Sequence, residues 1–424
     1  LCGIIGPISL FFVYFRNFLY HISFIMPTVS EKGKAMPTSP IRRLTPFAEA
    51  AKRQGKTIYH LNIGQPDIPP PQVALDAIRD LRIVSLEYTH SAGNETYRRK
   101  LAEYYKRYDI NVDYSDILIT TGASEAILFS FSSCLNYGDE VISPEPCYAN
   151  YNAFASFTGN VIIPLTSKIE NDFALPPVYE IEEKLTPKTK GIILCNPNNP
   201  TGYAYTKREL LQIRDIVKEY DLFLFSDEAY REFCYDGIEP ISAMHLKGIE
   251  ENVVMIDSVS KRFSECGVRI GSIVTKNKEV IQTALKYGQA RLSPPGLGQI
   301  VGEASIDTPE EYYMDVIMEY TKRRDYIVKA LNNIPGVYCP EPKGAFYCMV
   351  KLPVDNTDKF AQWLLEEFDH NNQTVMIAPG SGFYTSPGLG KDQARLAYVL
   401  NVEKLAKSVE VLAEALKVYP GRTL

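Results

Sequence analysis

GIILCNPNNPTGYAYTKRELLQIRDIVKEYDLFLFSDEAY, Gly191–Tyr230, holds two short apolar runs on either side of an amphipathic stretch. Ile192–Cys195 and Leu222–Ser226 are too short and too uniformly apolar for surface helices, and they read as buried strands. Lys207–Tyr220 repeats its apolar residues at helical spacing. The same alternation extends outward in both directions. Ile117–Thr121, Val141–Ser143, Val161–Pro164 and Val253–Ser258 read as further strands, with a helix over Ser124–Leu135. Strands buried on both faces and separated by helices predict an α/β protein with a mostly parallel sheet covered by helices. Beyond a long helix around Glu310–Asn332 the strands are wider apart. Val337–Cys339, Phe346–Val350, Val375–Ala378 and Arg395–Tyr398 mix with helices over Lys359–Phe368 and Val402–Leu416, as expected of a smaller α+β domain. The expected division is an arm at 27–70 contributing to the small domain, a large domain at 71–308 and the small C-terminal domain at 309–424.

The chain has 424 residues, 45% apolar and 23% charged, with a formal charge of −6. That length supports two packed domains with a core that needs no staples. A mildly acidic chain without a long basic run argues against nucleic-acid binding as its main task. The eight Cys include no CxxC pair and the five His are scattered, so neither a metal cage nor a disulfide framework is indicated. The composition points to the cytoplasm. Residues 1–26 stand apart. Their longest uncharged stretch, Leu1–Phe15, is 15 residues and contains Pro7, short of the roughly 20 that span a bilayer. With no basic leader or small-residue cleavage site, they read as a non-native or disordered extension rather than an anchor or signal.

Four motifs sit where strands end. TTGASEAI, Thr120–Ile127, runs from a strand through Gly122, Ala123 and Ser124 into a helix, whose N-terminus favours an anion. CNPNNPTG, Cys195–Gly202, is a Pro-stiffened turn that should aim the amides of Asn196 and Asn199 outward, and such Asn-Pro steps sometimes turn cis. SDEAY places Asp227 and Tyr230 at the carboxyl end of a parallel strand, the edge where α/β sheets take ligands. SVSKRFSECGVRIGS, Ser258–Ser272, delivers Lys261 from a buried strand and sets Arg269 among glycines. A neutral buried lysine is a competent Schiff-base amine, and an arginine with room for both nitrogens can fork onto a phosphate. Taken singly, these are equally a tight connection, a capped loop, a helix cap and a surface ion pair.

In this order and at these spacings the motifs resemble the fold-type I, pyridoxal-5′-phosphate-dependent aminotransferases of class I/II, the aspartate aminotransferase family. The likeness runs from about Ile41 to the C-terminus. It implies a large domain with a seven-stranded-type sheet and a homodimer with shared sites. Lys261 resembles the lysine that holds the cofactor as a Schiff base and moves the proton of catalysis. Asp227 matches the carboxylate that keeps the pyridine nitrogen protonated, and Asn199 and Tyr230 the donors to the ring's phenolic oxygen. Gly122, Ala123, Ser124, Ser258 and Arg269 match the phosphate cup. Tyr148, in PEPCYANY, falls where many relatives stack Trp on the ring, and Tyr88 matches a tyrosine that reaches the neighbouring subunit's cofactor. Arg395, in QARLAYVL, and Gly64, in LNIGQPD, match the substrate α-carboxylate site, with Asn199 beside it.

The resemblance implies transfer of an amino group from an L-amino acid to 2-oxoglutarate through a pyridoxamine intermediate, with aspartate as first choice. Aromatic amino acids and alanine remain alternatives, as do β-lyases and decarboxylases of the same fold and a cofactor-sensing regulator. The regulator would carry a winged-helix domain, for which 40 leading residues are too few. A dicarboxylate substrate requires a further cation for its distal carboxylate. Arg291, in GQARLSPP, is one candidate and Arg42 and Arg43 are rivals; the ordinary reading of Arg291 is a salt-bridged interface residue.

Overall fold

The computed structural model describes residues 27–424, so the reading of residues 1–26 lies outside the described residues. Up to Met36 the described chain belongs to a unit of its own, in which Ser30 caps a short helix, Glu31–Ala35. Pro37–Leu424 forms a second, compact unit. Among the described residues no helix is long and apolar enough to cross a membrane.

After strand β1 (Thr57–His60) come the strands of the main sheet: β2 (Ile117–Thr120), β3 (Glu140–Glu145), β4 (Val161–Thr166), β5 (Thr189–Cys195), β6 (Phe223–Asp227), β7 (Val253–Ser258) and β8 (Gly271–Val274). They lie in the order β2-β8-β7-β6-β5-β3-β4, parallel except for β8, which runs antiparallel to both neighbours. The strands expected in this sheet are all present. The one missed in it is β8, whose four residues follow directly on the Arg269 motif and leave no room for a separate pattern. Its direction matters, because it brings Gly271 level with both Thr120 and Ser258. Cys195 pairs with Asp227 in turn. The motif-bearing ends of β2, β5, β6 and β7 therefore meet at one edge.

The helix between β5 and β6, Lys207–Glu219, forms for local reasons. Thr206 Oγ1 accepts from the Glu209 N–H while the Glu209 carboxylate accepts from the Thr206 N–H at 2.7 Å, so two end donors are satisfied. Leu210, Ile213, Ile216 and Val217 then face the core.

The remaining strands differ from expectation. Strands β9 (Tyr347–Lys351), β10 (Gln373–Met376), β11 (Ala378–Pro379) and β12 (Gln393–Ala397) build two small sheets. Val375–Ala378 is not one strand: β10 pairs parallel with β1, which the sequence did not suggest, while β11 joins β12 and β9. Val337–Cys339 makes only an isolated bridge between Tyr338 and Lys351. Pro335 and Gly336 before it and Pro340 after it leave too few ladder donors for a strand.

Beneath the site edge lies a buried ionic cluster. Arg262 contacts Asp257 at 2.5 Å and Glu232 at 2.8 Å, and Arg231 contacts Glu228, Glu232 and Asp257 at 3.0–3.4 Å. Burial works against a charge on Asp257, yet Arg262 and Arg231 hold its carboxyl down at about 2. Arg262 follows Lys261 on the turn Val259–Arg262, so the cluster anchors the backbone that carries the lysine. Arg262→Met would leave three buried carboxylates around one guanidinium. It should cost about 3–5 kcal/mol, read as a fall in the urea midpoint of the apo protein.

Candidate active site

At the site edge the structure opens a cleft of about 570 Å³. One end is built for a phosphate. Helix Gly122–Cys134 starts at Gly122 with φ +77°, and a Cβ there would lie 2.3 Å from Arg269 Nη2. Gly271 is pressed just as closely, since its Cβ would meet the Gly122 carbonyl carbon at 2.5 Å. Both positions exclude a side chain, which brings backbone N–H groups, the helix dipole and a guanidinium to one point. Ala123, Ser124, Ser258 and Ser260 line this end, with Gly122 buried behind them. Arg269 Nη1 donates to the Cys266 carbonyl at 2.8 Å, and no carboxylate among the described residues neutralises it.

On the floor Asp227 is only 5% exposed. Its Oδ2 accepts from Tyr151 OH at 2.8 Å and its Oδ1 from the Ala229 N–H at 3.2 Å. Burial outweighs these bonds and pushes the carboxyl up to about 6. A cationic ring nitrogen opposite it would restore the charged form. Lys261 Nζ donates to the Gly64 carbonyl at 2.7 Å and lies 3.7 Å from Cys266 Sγ. Tyr148 lines the cleft, half-buried and edge-on to Tyr151 at 5.5 Å, its hydroxyl accepting from Asn150. Burial pushes its phenol up to about 12.

The opposite end is built for a carboxylate. Arg395, only 2% exposed, donates to Asn199 Oδ1 at 3.0 Å and to the Asn62 carbonyl, and packs over the rings of Tyr347 and Phe383. Among the described residues no acidic side chain faces it, and its Nε is buried without a partner. An uncompensated buried guanidinium is costly, so the arrangement suits an anion from outside. Asn199 Nδ2 also reaches Tyr230 OH, which shares a 2.9 Å hydrogen bond with Tyr347 OH. Gly64 faces this end, and a Cβ on it would fall 1.7 Å from Tyr347 OH. Only glycine lets the chain pass there.

The residues matched to the cofactor and α-carboxylate sites therefore converge, with one exception. Tyr88 is 80% exposed and lies outside the cleft of its own chain. One expectation needs correction. Asn196 does not face outward: its amide donates to the Ile241 carbonyl and accepts from the Tyr205 N–H, fixing the loop from within, and the Asn196–Pro197 bond is cis. Arg291 is taken up by Glu125 at 2.7 Å and by the Ser91 carbonyl at 3.1 Å, the ordinary ion-paired role expected of it. Sequence reasoning missed Tyr151, Ser260 and Tyr347. Tyr151 lies one helical turn beyond Tyr148, and Ser260 is the second Ser of SVSK, so both had a local signal. Tyr347 had none, since it meets Tyr230 across 117 residues of sequence.

The arrangement can thus hold a phosphate ester, a protonated heteroaromatic ring and a carboxylate around one primary amine. These are the features of pyridoxal 5′-phosphate with an amino acid, and the residues present fit that group. Comparison with known proteins agrees. The family described as aminotransferase class I and II matches residues 56–412. An aspartate aminotransferase of Pyrococcus horikoshii is 31% identical over 395 residues, covering 92% of this chain and 97% of the relative. Among solved structures, an alanine aminotransferase from Pyrococcus furiosus superposes with a TM-score of 0.85 at 29% identity, covering 92% of this chain and all of that one. The aspartate aminotransferase of Thermus thermophilus with maleate gives 0.83 at 28% identity, with the same coverage.

Proposed function

We propose, for a chain that belongs to the class I and II aminotransferases and is therefore a pyridoxal-phosphate-dependent transferase of group 2.6.1, that the amino donor is a dicarboxylic L-amino acid, aspartate first, and the acceptor 2-oxoglutarate. The observation that carries amino transfer is Arg395, a buried guanidinium without an acidic partner among the described residues, facing the same cleft as the Lys261 amine. The aspartate aminotransferases among its relatives support the choice of donor.

When bound, the cofactor supplies an aldehyde carbon for the amine and a ring that accepts the electron pair left on the substrate's Cα. Lys261 Nζ would hold the cofactor covalently and, once the substrate amine has displaced it as a free amine, would take the proton from Cα, aimed by the Gly64 carbonyl at 2.7 Å. Asp227, oriented by Tyr151, would keep the ring nitrogen protonated. Asn199 and Tyr230 would donate to the phenolic oxygen. Gly122, Ala123, Ser124, Ser258 and Arg269 would hold the phosphate, with Ser260 beside them. Tyr148 would stack on the ring. Arg395 forks onto the α-carboxylate, turning Cα so that the bond to its proton is the one that breaks.

The same reading makes the protein a homodimer. Val84, Leu86, Tyr88, Leu292 and Leu297 are exposed apolar residues on neighbouring segments, joined where Ser91 Oγ donates to the Leu292 carbonyl at 2.6 Å. A second copy covering them would let Tyr88 reach its partner's phosphate. The large and small domains divide near residue 308, with the arm held to the small domain by the β1–β10 pairing. Seven free cysteines among the described residues support a reducing, cytoplasmic setting.

The test is steady-state turnover of aspartate with 2-oxoglutarate, followed by NMR. Oxaloacetate and glutamate should appear in equal amounts. Their absence, with alanine or tyrosine consumed instead, would move the substrate class. Release of carbon dioxide or of a β-substituent without formation of glutamate would refute transamination.

A further inference from the structure

If the substrate carries two carboxylates, as the reading above requires, the second needs its own cation. We infer that Arg42 is that cation, so that one chain supplies both ends of the dicarboxylate grip.

The cleft is unequally charged. Four cationic side chains line it, Arg42, Lys261, Arg269 and Arg395, against one carboxylate, Asp227. With cofactor and substrate bound, the phosphate would occupy Arg269, the covalent link Lys261 and the α-carboxylate Arg395. Arg42 is left over. Among the described residues its side chain makes no hydrogen bond or ion pair; only its backbone is engaged, the N–H donating to Ser39 Oγ at 3.3 Å and the carbonyl accepting from the Thr45 N–H. The rival arginines are already committed, Arg43 to Asp358 and Arg291 to Glu125.

The local fold explains why Arg42 rather than Arg43 faces the cleft. Arg42–Leu44 is a 3₁₀ turn, in which three successive side chains point in three directions. Leu44 goes into the core. Arg43 goes to Asp358, whose other oxygen accepts from Ser381 Oγ at 2.7 Å. The remaining direction is the cleft. The turn is also pinned at its start, because Pro40 packs so closely on Gly382 that a Cβ there would come within 2.2 Å. The same loop, at Phe383, packs against the Arg395 guanidinium. The two arginines are thus held to a common support while Arg42 stays exposed and free to swing onto an incoming carboxylate.

The test uses the holoenzyme with succinate as the dicarboxylate probe and 3-phenylpropionate as the monocarboxylate probe, both measured by calorimetry. Arg42→Gln should weaken succinate binding by about tenfold to a hundredfold, the range for a lost charge-assisted hydrogen bond. Binding of 3-phenylpropionate should not change, and Arg42→Lys should recover part of the loss. In turnover, kcat/KM for aspartate should fall by the same factor while that for alanine holds. Equal losses on both probes, or none, would overturn the assignment and leave the aminotransferase reading intact. A wild-type enzyme that binds 3-phenylpropionate but not succinate would overturn both Arg42 and the dicarboxylate substrate. If no amino acid is converted at all, the reading beneath it fails, and the succinate comparison still decides what Arg42 does.

Discussion

Lys261→Ala should lower turnover by about 10⁴-fold or more, because one side chain serves as both covalent anchor and proton carrier. The variant should nonetheless bind pyridoxal phosphate. The glycine-lined helix N-terminus and Arg269 form their end of the cleft without help from the lysine. Borohydride reduction followed by mass spectrometry separates the two effects. Wild-type protein should gain the mass of the cofactor on the peptide containing Lys261, and the variant should gain nothing while still releasing cofactor on denaturation. Turnover within tenfold of wild type would remove Lys261 from its role.

Asp227→Ala should slow turnover by about 10²–10⁴-fold, since it removes the charge that keeps the ring nitrogen protonated. A second effect of this residue is readable without activity. Burial raises its carboxyl from 3.8 to about 6, so the folded apo chain holds a proton that the unfolded chain gives up. As pH climbs from 4 through 6, ionisation therefore favours the unfolded chain, and the apo protein loses on the order of 3 kcal/mol at this one site. Asp227→Asn, which cannot ionise, should lack that contribution. The stability difference between wild type and Asp227→Asn apo proteins should drift across that window and level off above pH 6. In the holoprotein the ring cation compensates the charge and the drift should vanish. A flat difference in the apo proteins would show that Asp227 is not held in the desolvated site described.

How far the sequence carries this account depends on where each signal lies. β5, β6 and β7 are near-continuous apolar runs because helices cover both faces of the sheet, and that pattern survives in one dimension. Asp227, Asn199 and Lys261 follow from it, since each stands just past a legible strand, at the edge where parallel strands open. The antiparallel β8 carries too few residues to show a period, although it closes the phosphate end by pressing Gly271 on Gly122. Tyr347 and the commitment of Arg291 to Glu125 are tertiary facts. Their partners are 117 and 166 residues away, and no local pattern encodes them. Arg42 and Arg43 are indistinguishable as letters. Only the 3₁₀ turn, with Asp358 waiting on one side, tells them apart.

The most direct test of the central claim mixes cofactor-loaded protein with one amino acid at a time, without any oxo acid, and records the cofactor's absorbance. Aspartate or glutamate should shift the spectrum in a single turnover, and 2-oxoglutarate should restore it. A spectrum that no amino acid changes, in protein that carries its cofactor on Lys261, would contradict amino transfer at this site.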